Sequence, residues 1–255
     1  MAELAIALDM PDRQSAVSLA EKLSAGLDGV AGKVWFKVGM ELYTAAGPAV
    51  VEAIKTLGFA VFLDLKYHDI PNTVAGAMRA AARLKVDMAN VHICGGEAMV
   101  RAAVAGAREG AESAGGRPPI LLGVTVLTSL GPQDLAAIGL PAELYRADMD
   151  DAARLKALAL LRAGQAKAWG LDGVVCSGHE AAGIKEACGR DFVCLTPGIR
   201  PRAGEVNDQS RVMTPAQAVA AGADFLVVGR PITGAADPLA AMRAILREME
   251  EAGKR

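Results

Sequence analysis

Short apolar runs alternate along the whole chain with longer segments in which alanine and leucine recur at three- and four-residue intervals. The short runs fall at 4–8, 34–38, 60–65, 88–92, 120–126, 173–176, 192–196 and 225–228 and predict eight strands. Helical patterns lie between them, at 13–24, 48–57, 73–84, 97–112, 151–168, 215–221 and 238–250. Thr214-Pro215 and Asp237-Pro238 each join a capping residue to a proline suited to a first helical turn. Strands that are apolar throughout, separated by helices, argue for a parallel sheet covered on both faces. Eight such units fit a (β/α)8 TIM barrel forming a single domain over 1–255, with a doubly wound open sheet as the alternative. Leu8-Asp9-Met10-Pro11 follows the first strand where a glycine-rich dinucleotide fingerprint would stand, which favours the barrel.

Composition narrows the class. With 52% hydrophobic residues the chain is not disordered, and the low aromatic share, 4%, beside 28 glycines suits close packing of helices on strands. No apolar run approaches the ~18 residues of a membrane span, and the opening MAELAIALDM lacks the features of a signal peptide, so a cytoplasmic protein without a membrane partner is expected. Lys and Arg number 27 against 29 Asp and Glu, without a basic stripe. No nucleic-acid partner is therefore expected, and an anionic ligand has to be held by local groups. Cys94, Cys176, Cys188 and Cys194 show no metal-ligand spacing and are expected to be free, largely buried thiols.

In a barrel the site lies at the C-terminal ends of the strands. Asp9 ends the first, Lys37 lies in the second, and DLKYHD ends the third. Alternation along Phe62-Leu63-Asp64-Leu65-Lys66 sends the leucines to the helix layer and Asp64 and Lys66 into the barrel mouth. With Lys37 on the neighbouring strand and Asp69 following, an alternating Lys-Asp-Lys-Asp array is expected. As scaffolding such an array is inefficient, because a pair at ~4 Å gains roughly 4 kcal/mol at an effective dielectric of 20, while desolvation costs several per ion. Pro71 and Thr73 mark the start of the next helix. Loops after strands seven and eight commonly bind phosphate, and here they carry Pro197-Gly198-Ile199-Arg200 and Gly229-Arg230. Between them, residues 201–207, with Gly204, suit a mobile loop folding over a ligand. His92 reads as a structural imidazole, and His68 and His179 as loop residues.

FLDLKYHDIPNTV, with FKVG before it and LTS, PGIR and VVGR after it, closely resembles the orotidine 5′-phosphate decarboxylase family of the common bacterial type, from Asp9 to Arg230. The resemblance implies a homodimeric barrel converting orotidine 5′-monophosphate to UMP and CO2 in pyrimidine synthesis, with no metal and no organic cofactor. It implies that Lys66 donates the proton and that Asp64 and Lys37 form its charge network. Asp69 and Thr73 would enter the partner subunit's site. Asp9 and Lys37 would hold ribose hydroxyls, Thr128 or its neighbour Ser129 the pyrimidine, and Gln209 both base and phosphate. Arg230 with the Gly229 backbone would hold the phosphate, and Arg200 lies near the ligand. The nearest rival resembles the 3-keto-gulonate-phosphate decarboxylase group, which shares DxKxxD but places a magnesium-binding acid where this chain has Lys37. A non-catalytic nucleotide sensor is the alternative outside enzymes.

Overall fold

The computed structural model describes residues 2–27, 34–139, 150–201 and 212–254. Within them eight parallel strands close into a barrel in chain order: β1 (Glu3–Ala7), β2 (Val34–Gly39), β3 (Ala60–Tyr67), β4 (Met88–His92), β5 (Ile120–Val124), β6 (Gly173–Val175), β7 (Val193–Thr196) and β8 (Phe225–Val228), with β8 pairing back to β1. The open-sheet alternative is excluded. The covering helices are α1 (Arg13–Ser24), α2 (Met40–Ala46), α3 (Ala49–Thr56), α4 (Pro71–Arg83), α5 (Gly96–Ser113), α6 (Pro132–Ala137), α7 (Asp151–Ala168), α8 (Gly178–Cys188), α9 (Pro215–Ala220), α10 (Arg230–Thr233) and α11 (Pro238–Gly253).

Side-chain alternation builds two cores. Leu4, Ile6, Phe36, Val38, Val61 and Leu63 face outward under the helices, while Ala5, Ala7, Phe62, Met88, Leu122, Leu195, Phe225 and Val227 fill the barrel. Trp35 and Phe225 meet edge to face at 5.0 Å in the inner core, and the Trp35 indole donates to Glu3. A cavity opens above them, at the strands' C-terminal ends.

Two further devices fix the frame. In α5, Gly106 and Gly110 bring the backbone against α4: an added Cβ would lie 2.2 Å from the Ala75 carbonyl oxygen and 2.4 Å from that of Arg79. At the opposite end of the barrel, an aspartate immediately precedes each of β4, β6 and β8. Asp87 accepts the Val61 N–H, Asp172 that of Leu121 and Asp224 that of Cys194, each at 2.7 Å, so each clamps the preceding strand. Lys55 and Lys185 neutralise two of the three.

The Thr214 and Asp237 caps form: Thr214 accepts the Gln217 N–H, and Asp237 those of Leu239 and Ala240. Helix α4 begins at Pro71 rather than at residue 73, because proline takes the first helical position. His179 lies in α8 and not on a loop, since Ser177 and Glu180 form a capping box that starts the helix at Gly178. Cys176, Cys188 and Cys194 are buried and free, whereas Cys94 is exposed.

Lys85, just past α4, is exposed and holds φ at 55°, a conformation that favours glycine. Lys85→Gly is expected to stabilise the chain by about 1 kcal/mol, raising Tm by ~2–4 °C in thermal unfolding. An unchanged or lower Tm would reject this account of the turn.

Candidate active site

A cavity of about 580 Å³ opens at the C-terminal ends of the strands. Its wall includes Asp9, Lys37, Asp64, Lys66, Thr128, Ser129, Arg200, Gly229 and Arg230, contributed by residues far apart in sequence. Both Thr128 and Ser129 reach it, so the choice between them stays open.

The charged wall is a chain of ion pairs. Lys37, 7% exposed, sits 2.9 Å from Asp9 Oδ1 and 3.4 Å from Asp64 Oδ2 through its Nζ. Lys66 Nζ lies 2.7 Å from Asp64 Oδ1. Gly39 leaves room for this: a Cβ there would come within 2.9 Å of Lys37 Nζ and 3.1 Å of Asp9 Oδ1, which gives FKVG its glycine. Burial alone would raise the Asp64 pKa. Lys37 and Lys66, with hydrogen bonds from Lys66 and Asn90, more than reverse that and hold the carboxyl below its usual range. Asp64 is therefore ionised at neutral pH between two ammonium groups.

Strand β3 is irregular between Leu63 and Tyr67, the stretch that carries Asp64 and Lys66. Leu63 pairs with Ala89 and Tyr67 with Val91, so four steps on β3 match two on β4. Lys66 takes φ of 49°, in the left-handed region. Asn90, fully buried on β4, accepts the Lys66 N–H at 2.8 Å through Oδ1 and donates from Nδ2 to Asp64 Oδ1 at 2.7 Å. The sequence reading passed over Asn90. The signal available was a lone amide inside the apolar run Met88–His92.

The array within one chain is Asp9, Lys37, Asp64 and Lys66. The structure does not bring Asp69 or Thr73 to the cavity of their own chain: both are exposed at the start of α4, and Asp69 Oδ1 accepts the Ile70 N–H. Residues 202–211, with Gly204 and Gln209, and residues 140–149 lie outside the described residues. The ends of the former segment are tied by a bridge between Ile199 and Met213.

Arg200 and Arg230 add to the basic wall of the cavity. The Arg200 Nε is buried without a protein partner among the described residues, while one Nη donates to the Ile199 carbonyl. Burial, and then repulsion from Arg230, hold the Arg200 guanidinium below its usual pKa. Two arginines kept together against their repulsion make a place for a dianion. His92 is half buried, its ring 5.5 Å from that of His68; burial first, then His68, Lys66 and Arg162, bring its pKa down to about 4, so it is neutral at neutral pH. The buried Cys176 thiol at the cavity wall is pushed well up, first by its hydrogen bond with Cys194 and then by burial, so it is no thiolate nucleophile. Among the described residues no group of three or more His, Cys, Asp or Glu is arranged to hold a metal ion, and no helix is long and apolar enough to cross a membrane.

Barrels of this kind carry their chemistry at the strand ends where this cavity opens, and the chain is an enzyme of that class. It belongs to the orotidine 5′-phosphate decarboxylase / HUMPS family, whose model it matches over residues 2–245. It is 54% identical over 264 residues to the orotidine 5′-phosphate decarboxylase of Nitratidesulfovibrio vulgaris strain Miyazaki F, covering 99% of this chain and 100% of that one. It is 49% identical over 250 residues to that of Moorella thermoacetica, covering 97% and 92%. The crystal structure of the Lactobacillus acidophilus orotidine 5′-phosphate decarboxylase superposes with a TM-score of 0.77 at 37% identity, covering 98% of this chain and 99% of that one.

Proposed function

We propose that this chain is an orotidine 5′-phosphate decarboxylase, converting orotidine 5′-monophosphate to UMP and CO2. The observation that carries the reading is the Lys37–Asp64–Lys66 array at the barrel mouth, with ammonium groups 3.4 and 2.7 Å from a nearly buried carboxylate. In this reaction the bond from C6 to the carboxylate carbon breaks, CO2 leaves, and the electron pair stays on C6 in the plane of the ring, where no carbonyl takes it up. A cation beside C6 stabilises that pair as it forms. Lys66 then gives its proton to C6, and the neutral amine regains one from solvent. Asp64 keeps Lys66 charged and aimed, and Lys37 keeps Asp64 ionised.

The other roles are carried over from the motifs of the family. Arg200 and Arg230, with the Gly229 backbone, hold the phosphate at the basic side of the cavity, joined by Gln209. Asp9 and Lys37 take ribose hydroxyls, and Thr128 or Ser129 the pyrimidine. Asp69 and Thr73 serve a second copy of the chain. They flank Ile70, a large apolar side chain 66% exposed, and all three stand outside their own cavity, as residues offered to a partner would. The reading places the enzyme in the cytoplasm as a homodimer that needs no metal or organic cofactor.

The test is the loss of orotidine monophosphate absorbance on adding the protein, run with and without EDTA. Turnover to UMP unaffected by EDTA is the expected result. Activity lost in EDTA and restored by Mg2+ would favour the sugar-phosphate decarboxylase reading, and UMP binding without CO2 release would favour a sensor.

A further inference from the structure

We propose that Asn90 is a positioning residue of the decarboxylation site, setting the Lys66 backbone and the Asp64 carboxylate with one amide; this rests on the function proposed above. Along a regular strand backbone N–H groups turn alternately to the two neighbours; Val61 faces the β4 side, so the N–H of residue 66 would face β2. Here β3 carries two extra residues between Leu63 and Tyr67, and the Lys66 N–H goes instead to Asn90 Oδ1 at 2.8 Å. The amide's orientation is dictated by its partners. A backbone N–H can only donate, so it faces the oxygen; a carboxylate can only accept, so it faces the nitrogen.

Asn90 Nδ2 and Lys66 Nζ both lie 2.7 Å from the same atom, Asp64 Oδ1, leaving Oδ2 toward Lys37. The amide thus closes a small ring. It runs from the Lys66 backbone through Asn90 to the Asp64 carboxylate and back through the Lys66 ammonium. Both ends of the lysine are fixed, one by the amide and one by the carboxylate that the amide orients. Its φ of 49° is held by that single side-chain acceptor, with no glycine to relax it. Leu122, paired with Asn90 across β4 and β5, belongs to the apolar inner core. A fully buried amide there is explained by what its two ends hold.

The groups facing Asp64 are Lys37 on β2, Lys66 on β3, and His92 on β4, with His68 and Arg162 around His92. Asn90→Leu removes both hydrogen bonds. It is expected to lower kcat by about 10- to 100-fold, the usual effect of losing a buried hydrogen bond to a charged group, with UMP affinity and KM within about fivefold of native. Asn90→Asp keeps an acceptor for the Lys66 N–H but sets a second carboxylate against Asp64. Its kcat is expected to fall as well, and the acidic limb of its pH profile to move up by about one unit or more. A purely structural role would lower Tm in both variants and leave kcat of the folded protein and the acidic limb where they were. Either variant folded, binding UMP and turning over within threefold of native would overturn the proposal. So would an Asn90→Asp acidic limb superimposing on the native one, which decides the matter alone if Asn90→Leu does not fold. A native chain that makes no UMP would instead refute the function on which the proposal rests.

Discussion

Replacing Lys66 with alanine is expected to lower turnover by about 10⁴-fold or more while UMP still binds. A positioned acid contributes ~10²–10⁴-fold and removal of one electrostatic stabiliser ~10²–10³-fold, and in the mechanism proposed above Lys66 supplies both at C6. The variant leaves Asp64 with Lys37, 3.4 Å away, and with Asn90, so the carboxylate is not stranded and the barrel is expected to fold. Mixing this variant with Asp69→Ala extends the test to the second copy. If each cavity takes its lysine from one protomer and Asp69 from the other, a mixed dimer has one intact cavity. Random pairing at equal amounts then restores about one quarter of native activity. Orotidine monophosphate decay measured against the proportion of the two variants reads both effects. Turnover by Lys66→Ala within tenfold of native removes the lysine from the chemistry, and no recovery on mixing removes the shared site.

The second large effect is expected at Arg230. Arg230→Ala takes away a fork of donors at the end of the cavity proposed to hold the phosphate and leaves Arg200 without the like charge beside it. Losing a charge-assisted contact of this kind costs ~2–5 kcal/mol, or ~30- to 5,000-fold in kcat/KM. Phosphate binding is remote from C6, so part of the loss is expected in kcat: the energy that holds the closed, dry site is no longer available at the reacting carbon. The nucleoside orotidine, which lacks the phosphate, discriminates. Native protein and variant should process it at equal, slow rates, because neither then uses Arg230. A loss below threefold with the nucleotide, or an equal loss with both substrates, would place the arginine's effect elsewhere.

The barrel was readable because each strand interior is a run of apolar residues and each covering helix of any length keeps its period. Alternation sent Asp64 and Lys66 inward, since the leucines at 63 and 65 suit the helix side, and both line the cavity, Lys66 by way of the irregular turn. What escaped had weaker signals. Helices α2, α6 and α10 have only 7, 6 and 4 residues, too few for a period to repeat. The left-handed turn at Lys66 carries no glycine to announce it, so the bulge that aims the lysine was invisible. Asn90 was missed for a related reason: its role depends on the register between β3 and β4, and register comes from pairing, which a single strand's sequence does not hold. Asp69 was expected beside Lys66 because the two are close in sequence, but the end of β3 carries it past the rim of its own cavity.

The aspartates clamping the lower rim have a bearing on how such a molecule is composed. Asp87, Asp172 and Asp224 stand one residue before β4, β6 and β8 and bind the same kind of N–H on the strand before, at an interval of two strands. At the upper rim no comparable pattern recurs among the described residues: Asp9, Lys66, His92 and Arg230 differ from one strand end to the next. The barrel is thus modular underneath and individual on top. The same closure serves before β4, β6 and β8 where the structure only needs holding together, and the strand ends above carry a different group each.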